Sequence, residues 1–541
     1  MKHRTIGGLC IIVTLIGYKR HTYQIKRIGL NTNHLYNETT YMKRLVYTIL
    51  TSLLFALTAS SLCTASAQNM DIQEESSSKT LEIINHRAKK MKHNVLSSKT
   101  TVKPTGNIYY VAADGDDHND GLSPKRPLRS LDKINSIDLK PNDGVMFRRG
   151  DIWRGRIFTK AGVTYSAYGR GEKPRIYGSP YDAAQKGEWI ETSTANVYMY
   201  SEELPDDIGT LVFNGGNEVA TKVLKVIGEN GETTHNYTGE SFLGGYDLRR
   251  DLDFYHDYQD KKRLYLCSTK GNPSDRFSSI ELLTRGTIVQ TVDNVHIDNL
   301  CVMYGGSHGI GGTTTKSLKV TNCVIGWIGG SVLTPHPPKG RQYVRYGNAV
   351  EIYGGCGEYI VDNCYIYQIY DAGITIQTQE DISDTSRMIR NVRFSNNLIE
   401  RCEMSIEYYL GAKFKPTDSY MENILYEGNI LRLAGYGWGE QHPQPAWGAH
   451  LKSWWMHYNQ AYNFIIRNNV FDRSDANLIN VVAAKSEWLP KMENNIYIQY
   501  LNADGGRIGQ PWADYKFDEE FPTAIEKALG EKNIAITFIK K

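Results

Sequence analysis

Proline is scarce in this 541-residue chain, at 17 residues against 49 glycines and 36 tyrosines. So few prolines beside so many turn-formers and aromatics suit β structure better than a helical bundle. Net charge is also small. It is +3 overall and becomes −4 once the first 67 residues, with eight basic and one acidic residue, are set aside. A mildly acidic body has no electrostatic footprint for nucleic acid, so DNA and RNA are excluded as partners. Cysteine is sparse and scattered. Six remain after position 67 (Cys267, Cys301, Cys323, Cys356, Cys364, Cys402), with no CxxC pair and no Cys/His cluster, so a zinc site is not indicated. Several sit among Val, Ile and Tyr, where a free thiol acts as a small buried hydrophobe. What is present is ample apolar content, 40% against 22% charged, enough for a large core and too much for a disordered chain.

No apolar run reaches the ~20 residues a membrane-spanning helix needs. From Met42, however, the chain runs Lys43-Arg44, then an apolar stretch through Leu57, then Ala65-Ser66-Ala67. That order of charged, apolar and small-residue regions is a secretory signal, so export to the periplasm, outer surface or medium of a bacterium is expected, with translation starting at Met42. No integral membrane domain is expected after cleavage. Cys63 follows Leu62, a poor fit to a lipidation site. Residues 68–104, rich in Ser, Lys, Glu and Asn without an apolar period, read as a flexible linker.

The second half repeats. Short apolar strands introduced by asparagine begin at Asn299, Asn322, Asn363, Asn397, Asn429, Asn469 and Asn495, spaced by 23, 41, 34, 32, 40 and 26 residues. A second strand follows each after about ten residues, as at Ile374-Thr-Ile376 and Ile406-Glu-Tyr408. Irregular periods argue for coils of one β-helix, each surplus stretch becoming a loop on one side. Asparagine suits a recurrent corner because it tolerates the left-handed conformation and can ladder amide to amide.

Stacked coils place equivalent residues in columns about 4.8 Å apart. Val350, Ile374, Ile406, Leu451 and Leu478 are assigned to an inward column, which turns Glu351, Thr375, Glu407, Lys452 and Ile479 outward. Three residues upstream, Asp371, Glu403 and Asp475 form a second acidic column. Glu351 and Glu407 would lie about 9 to 10 Å apart, at the wide limit for an inverting pair, and Asp371 and Glu403 near the ~5 Å of a retaining pair. Asp371, Glu407, Glu351 and Glu403 are therefore the catalytic candidates, Asp371 first as base or nucleophile and Glu407 as proton donor. Each is weighed against plain solvated surface. Thr375 and Gln377 share the strand after Asp371 and are expected to line the groove. The Gly/Pro-broken segment Gly435–Trp455 brings four tryptophans to the Lys452 rung. Trp447 and Trp454 are expected to form a sugar platform, with His450 and Lys452 meeting an acidic substituent. For Trp438 and Trp455, plugging the side of the solenoid is equally consistent. His308, in Gly-Ser-His-Gly, reads as a hydrogen-bonded structural residue.

Tyr109-Tyr-Val-Ala-Ala-Asp-Gly-Asp-Asp117, Gly121-Leu-Ser-Pro124, Arg149-Gly-Asp-Ile-Trp153, Tyr168-Gly-Arg-Gly-Glu-Lys-Pro174, Leu252-Asp-Phe-Tyr255 and Tyr304-Gly-Gly-Ser-His-Gly-Ile310 carry a resemblance. From about Tyr109 to Gln510 the chain resembles the exported right-handed parallel β-helix (pectate-lyase-like) proteins of bacterial polysaccharide metabolism, closest in look to the β-helix glycoside hydrolases. The resemblance implies an all-β solenoid: a cap and first coil over 105–184, a β-rich insertion over 185–285, the main helix over 286–515 and a C-terminal cap over 516–541. It implies a polysaccharide or oligosaccharide substrate. Three readings stay open, because the fold hosts several reactions. They are hydrolysis by paired carboxylates without a cofactor, lyase or epimerase chemistry with Lys452 and His450 as bases and calcium on acidic ligands, and carbohydrate binding without catalysis. Against the lyase stands the apparent lack of an arginine in register with Lys452.

Overall fold

A computed structural model describes residues 79–185, 189–334, 339, 343–378, 388–411, 419–442, 447–454 and 458–540. The chain divides into Met1–Thr64 and Ala65–Lys541. All that follows concerns the second unit; the signal segment and Trp455 lie outside the described residues.

Three long sheets run side by side, of 10, 13 and 10 strands. One coil gives a strand to each in turn: Val295–Asp298 to sheet A, Cys301–Gly305 to sheet B and Ile310–Gly312 to sheet C. The next coil repeats the order with Leu318–Thr321, Val324–Ile328 and Val350–Tyr353, each pairing in parallel with its predecessor. This is a parallel β-helix. Its interior is one column-built core, with Ile297, Val302 and Ile310 below Val320, Ile325 and Val350.

The corner between sheets A and B shows how the sequence makes the turn. Asn299, Asn322, Asn363, Asn396, Asn468, Asn494 and Asn533 all adopt positive φ, and Gly428 stands in that row at φ 68°. The following residue points inward. In the four coils after Cys364 this inward position is asparagine: the Asn397 amide donates to Asn429 Oδ1 (3.0 Å), Asn429 to Asn469 (2.9 Å) and Asn469 to Asn495 (3.1 Å). Glu531 ends the ladder by accepting from Asn495 Nδ2 at 2.9 Å. The expectation of one asparagine doing both jobs holds for some corner residues, since Asn363 Nδ2 donates to Asn322 Oδ1 at 2.7 Å and Asn533 Nδ2 to Asn494 Oδ1 at 2.8 Å, and a second, inward ladder is added to it. Asn299, Asn322 and Asn363 make the turn, while Asn397, Asn429, Asn469 and Asn495 form the buried ladder.

The segment read as a flexible linker is also corrected, because Lys79–Ser97 is an α-helix. Leu81, Ile84, Ala88 and Val95 fall on one face and pack on the outer side of sheet B. Lys92 Nζ donates to Tyr365 OH at 3.2 Å. At the other end, the helix Phe521–Leu529 buries Phe521, Ile525 and Leu529 in the core, and Ala535–Ile539 adds the last strand of sheet B. All six cysteines are free and buried.

The stretch between the first coil and the main helix holds a five-stranded sheet with its own core around Tyr200, Phe254 and Leu266. It is riveted to the solenoid by a buried ion pair. Lys222 Nζ lies 2.7 Å from both oxygens of Asp207, and Asp207 Oδ2 accepts Val332 N–H at 2.7 Å. Burial pushes the Asp207 carboxyl up, but the Lys222 charge outweighs it and holds the group down at about 2.

Candidate active site

Sheet C carries the candidate residues on its outer face. Val350 pairs with Ile374, Ile374 with Ile406, Ile406 with Leu451 and Leu451 with Ile479. The outward row therefore reads Glu351, Thr375, Glu407, Lys452, Asn480 and Arg507. Two corrections follow. Ile479, not Leu478, stands in register with Leu451, although both are buried in the core, so Asn480 rather than Ile479 faces out, and Asp475 stands four residues upstream instead of three. An arginine does lie in register with Lys452, two rungs on, although Arg507 is committed to Asp514 through two contacts of 2.7 and 2.9 Å.

Glu407 is held on both oxygens. Trp454 Nε1–H donates to Oε1 at 2.6 Å and Thr375 Oγ1–H to Oε2 at 3.0 Å. Burial raises its pKa, and these two donors pull the other way. Asp371, at the turn leading into the Ala372–Thr378 strand, has no such side-chain donor among the described residues and is met by the Gly347 backbone N–H. Burial drives its carboxyl well above the usual range, and the charges of Glu407 and then Glu351 add to the rise. Asp371 is thus driven further up than Glu407, whose two donors favour its ionised form. Glu351 is anchored at Oε2 by Asn348 Nδ2 and by His308 Nδ1, the latter at 2.8 Å. His308 thus joins the acidic row, which its sequence context did not suggest.

Lys452 Nζ lies 4.7 Å from the Trp454 ring centroid and 5.4 Å from that of Trp447. Burial lowers its pKa, opposed first by the Glu407 and Glu403 charges. Trp447 stacks on His442 at 5.2 Å and meets Trp454 edge-on at 5.4 Å. The two tryptophans expected as a platform are therefore together, half-buried, beside the acidic row. Trp438 is a plug, 2% exposed, its Nε1–H donating to the Gln368 carbonyl at 2.8 Å. Gln377 accepts from Tyr409 OH on the next rung.

Glu403 and His450 do not face the groove. Glu403 occupies the rung position next to that of Asp371 but is 1% exposed beneath the turn Trp438–Gln441. Burial, then the charges of Asp475 and Asp371, drive its pKa well up. His450 is fully buried and points inward, its ring nitrogens 3.0 Å from Ser405 Oγ and 3.0 Å from the Arg473 carbonyl. Burial lowers its pKa to about 4, so it is neutral packing and is corrected from a substrate ligand. The cause is a bend at the start of each sheet C strand. At Gly373, the equivalent of His450, a Cβ would meet interior atoms of Ile399 and Cys402, although the next residue, Ile374, is also inward. Among the described residues no group of three or more His, Cys, Asp or Glu is poised to hold a metal ion, and no helix is long and apolar enough to cross a membrane.

No family model matches the chain. A stretch of 110 residues is 35% identical to a lacto-N-biosidase of Bifidobacterium longum subsp. longum, covering 18% of this chain; the match spans 7% of that protein's length. Similar solved structures include a glycoside hydrolase (9% identity, TM-score 0.44, covering 80% of this chain and 96% of that one) and XylC in complex with xylose (13%, 0.41, 73% and 70%). Pectate lyase Pel9A is another (11%, 0.36, 82% and 80%).

Proposed function

We propose that the protein is an exported carbohydrate-active enzyme that hydrolyses a glycosidic bond in the groove over sheet C. The observation that carries the reading is the unequal treatment of two coupled carboxyls. Glu407 receives two hydrogen bonds that favour its ionised form, whereas Asp371 is left to hold the proton. The roles are then the reverse of the sequence expectation. Asp371 gives its proton to the glycosidic oxygen, the bond from that oxygen to the anomeric carbon breaks, and its electron pair leaves on the oxygen. Glu407 either attacks the anomeric carbon or takes a proton from the water that does. Aromatic faces suit the C–H faces of a sugar ring, and Trp447 and Trp454 supply two such rings beside the acidic row. The 110-residue stretch that is 35% identical to part of a lacto-N-biosidase supports an oligosaccharide substrate.

A lyase is the second reading, favoured by a buried Lys452 of lowered pKa with Arg507 in its row. A panel of neutral and acidic oligosaccharides separates the two. Hydrolysis yields a new reducing end without ultraviolet absorbance, whereas elimination yields an absorbing double bond. Asp371→Asn and Glu407→Gln should each abolish hydrolysis while leaving the folded state intact. Full turnover in both variants, or an absorbing product that requires Lys452, would overturn the assignment. Binding without turnover across the panel would leave only a lectin-like role. Export is tested by N-terminal sequencing of protein recovered outside the cytoplasm, with Gln68 expected first.

A further inference from the structure

Two arginines beside the N-terminal end of the acidic row have no acidic partner among the described residues. Arg156 and Arg285 line a pocket of about 260 Å³ with Asp206, Gly286, Ser307 and Tyr346. Arg156 Nη2 donates to the Arg285 carbonyl and Arg285 Nη2 to the Leu333 carbonyl at 3.3 Å. Among the described residues neither guanidinium forms an ion pair, and Asp206 stands exposed at the rim. Two neighbouring, half-buried guanidiniums repel each other and lose hydration unless an oxyanion lies between them.

The pocket is built for such a group. Gly286 has φ +135°, and a Cβ there would fall 1.8 Å from Arg156 Nη2, so the guanidinium can lie across bare backbone only because this residue is glycine. Hydroxyl donors complete the lining: Ser307 Oγ and Tyr346 OH are 2.8 Å apart, and Ser307 Oγ accepts Gly286 N–H at 2.9 Å. The Tyr346 ring meets His308 at 5.2 Å, and His308 Nδ1 lies 2.8 Å from Glu351. From Glu351 the outward row continues through Gly311 and Gln290 to Phe158, which is 46% exposed. Gly311 leaves the floor bare, and three rungs span about 14 Å, the length of a short oligosaccharide.

We propose that this pocket is an anion subsite at one end of the groove, taking a carboxylate or sulfate group that the glycan carries some residues away from the bond cleaved. The inference rests on the reading of sheet C as a glycan groove, and it names the substrate class: a chain neutral at the reacting ring and acidic further along. Arginine forks match planar carboxylates and tetrahedral sulfates through paired N–H donors, whereas Lys452 at the opposite end offers a single point charge between two rings.

The test is equilibrium binding at one fixed ionic strength, using Asp371→Asn protein so that no turnover intervenes. The probes are galacturonate, galactose 6-sulfate and galactose. At least one acidic sugar should bind about tenfold or more tightly than galactose, and the tighter of the two identifies the group. Arg285→Gln and Gly286→Ala, the latter displacing Arg156, should each remove most of that preference, while Lys452→Gln should leave it. Equal affinity for all three sugars overturns the proposal. So does a preference that survives Arg285→Gln in protein whose melting temperature is unchanged, or one that vanishes with Lys452→Gln. These outcomes are independent of hydrolysis: a neutral glycan cleaved without any anion preference removes the pocket and keeps the enzyme, whereas anion capture without cleavage of any glycan does the reverse.

Discussion

If Asp371 keeps its proton partly because Glu407 is ionised, replacing Glu407 by an uncharged isostere must release it at lower pH. Burial is the larger cause of the raised pKa and persists in Glu407→Gln; only the charge is lost. The two residues belong to neighbouring rungs. For charges about 6 Å apart at an effective dielectric of about 20, the interaction is about 3 kcal/mol, or about two pKa units. The carboxylic acid C=O stretch of Asp371, identified as the infrared band missing in Asp371→Asn, should therefore disappear about two pH units earlier in Glu407→Gln than in the wild type. A midpoint within about half a unit of wild type would mean that burial alone holds the proton, and the argument for a coupled pair would fail. The sign also appears in stability. A carboxyl whose folded pKa is raised destabilises the native state progressively as pH rises from its unfolded value through its folded one. Asp371→Asn should accordingly raise the melting temperature, more at about pH 8 than at about pH 4.

Trp454→Phe keeps the ring but removes the donor to Glu407 Oε1, so the Glu407 pKa should rise and the acidic limb of a pH–rate profile should move to higher pH; an unmoved limb would deny the bond its role. Lys222→Met leaves Asp207 buried and uncompensated, and should cost about 3 to 5 kcal/mol in denaturant unfolding, against near-neutrality if the pair were solvated. Asn429→Ala opens the buried ladder on both sides, leaving Asn397 N–H without its acceptor and the Phe394 carbonyl without its donor. A loss of about 2 to 4 kcal/mol is expected, and a change below about 0.5 kcal/mol would show that the ladder is dispensable.

The solenoid was legible because its causes are local and repeated. Asparagine before a short apolar run recurs at every corner, and the inward columns are apolar wherever they were placed. What escaped was a division of labour within the corner. Coils with one asparagine put Leu300, Cys323 or Cys364 inward and leave only the turn residue to ladder, as Asn363 does on Asn322, whereas Asn396-Asn397, Asn468-Asn469 and Asn494-Asn495 add a second, buried ladder at the inward neighbour. The helix Lys79–Ser97 was missed for a different reason. Its apolar face is only Leu81, Ile84, Ala88 and Val95 among charged residues, too weak to read alone, and it is completed by the outer surface of sheet B, formed by residues hundreds of positions away.

In the site, alternation located Glu351, Thr375, Glu407 and Lys452 correctly because each follows an unambiguous inward residue. It failed at Leu478-Ile479, where two buried residues in succession give no parity, and at His450, where the chain bends so that consecutive side chains both point inward. The location of the proton could not have been read by any count of rungs. It depends on which carboxyl collects donors, and the decisive donor, Trp454 Nε1, comes from the end of a strand 47 positions further along the chain. Stacking fixes which acids are neighbours, whereas side chains beyond the strand ends, such as Trp454, supply the donors that favour the ionised form of one of them. Changes in the coil sequence should therefore alter the number of acids in the row. Changes confined to the residues that follow the Ala449–Ser453 strand should exchange acid and base while leaving the row intact.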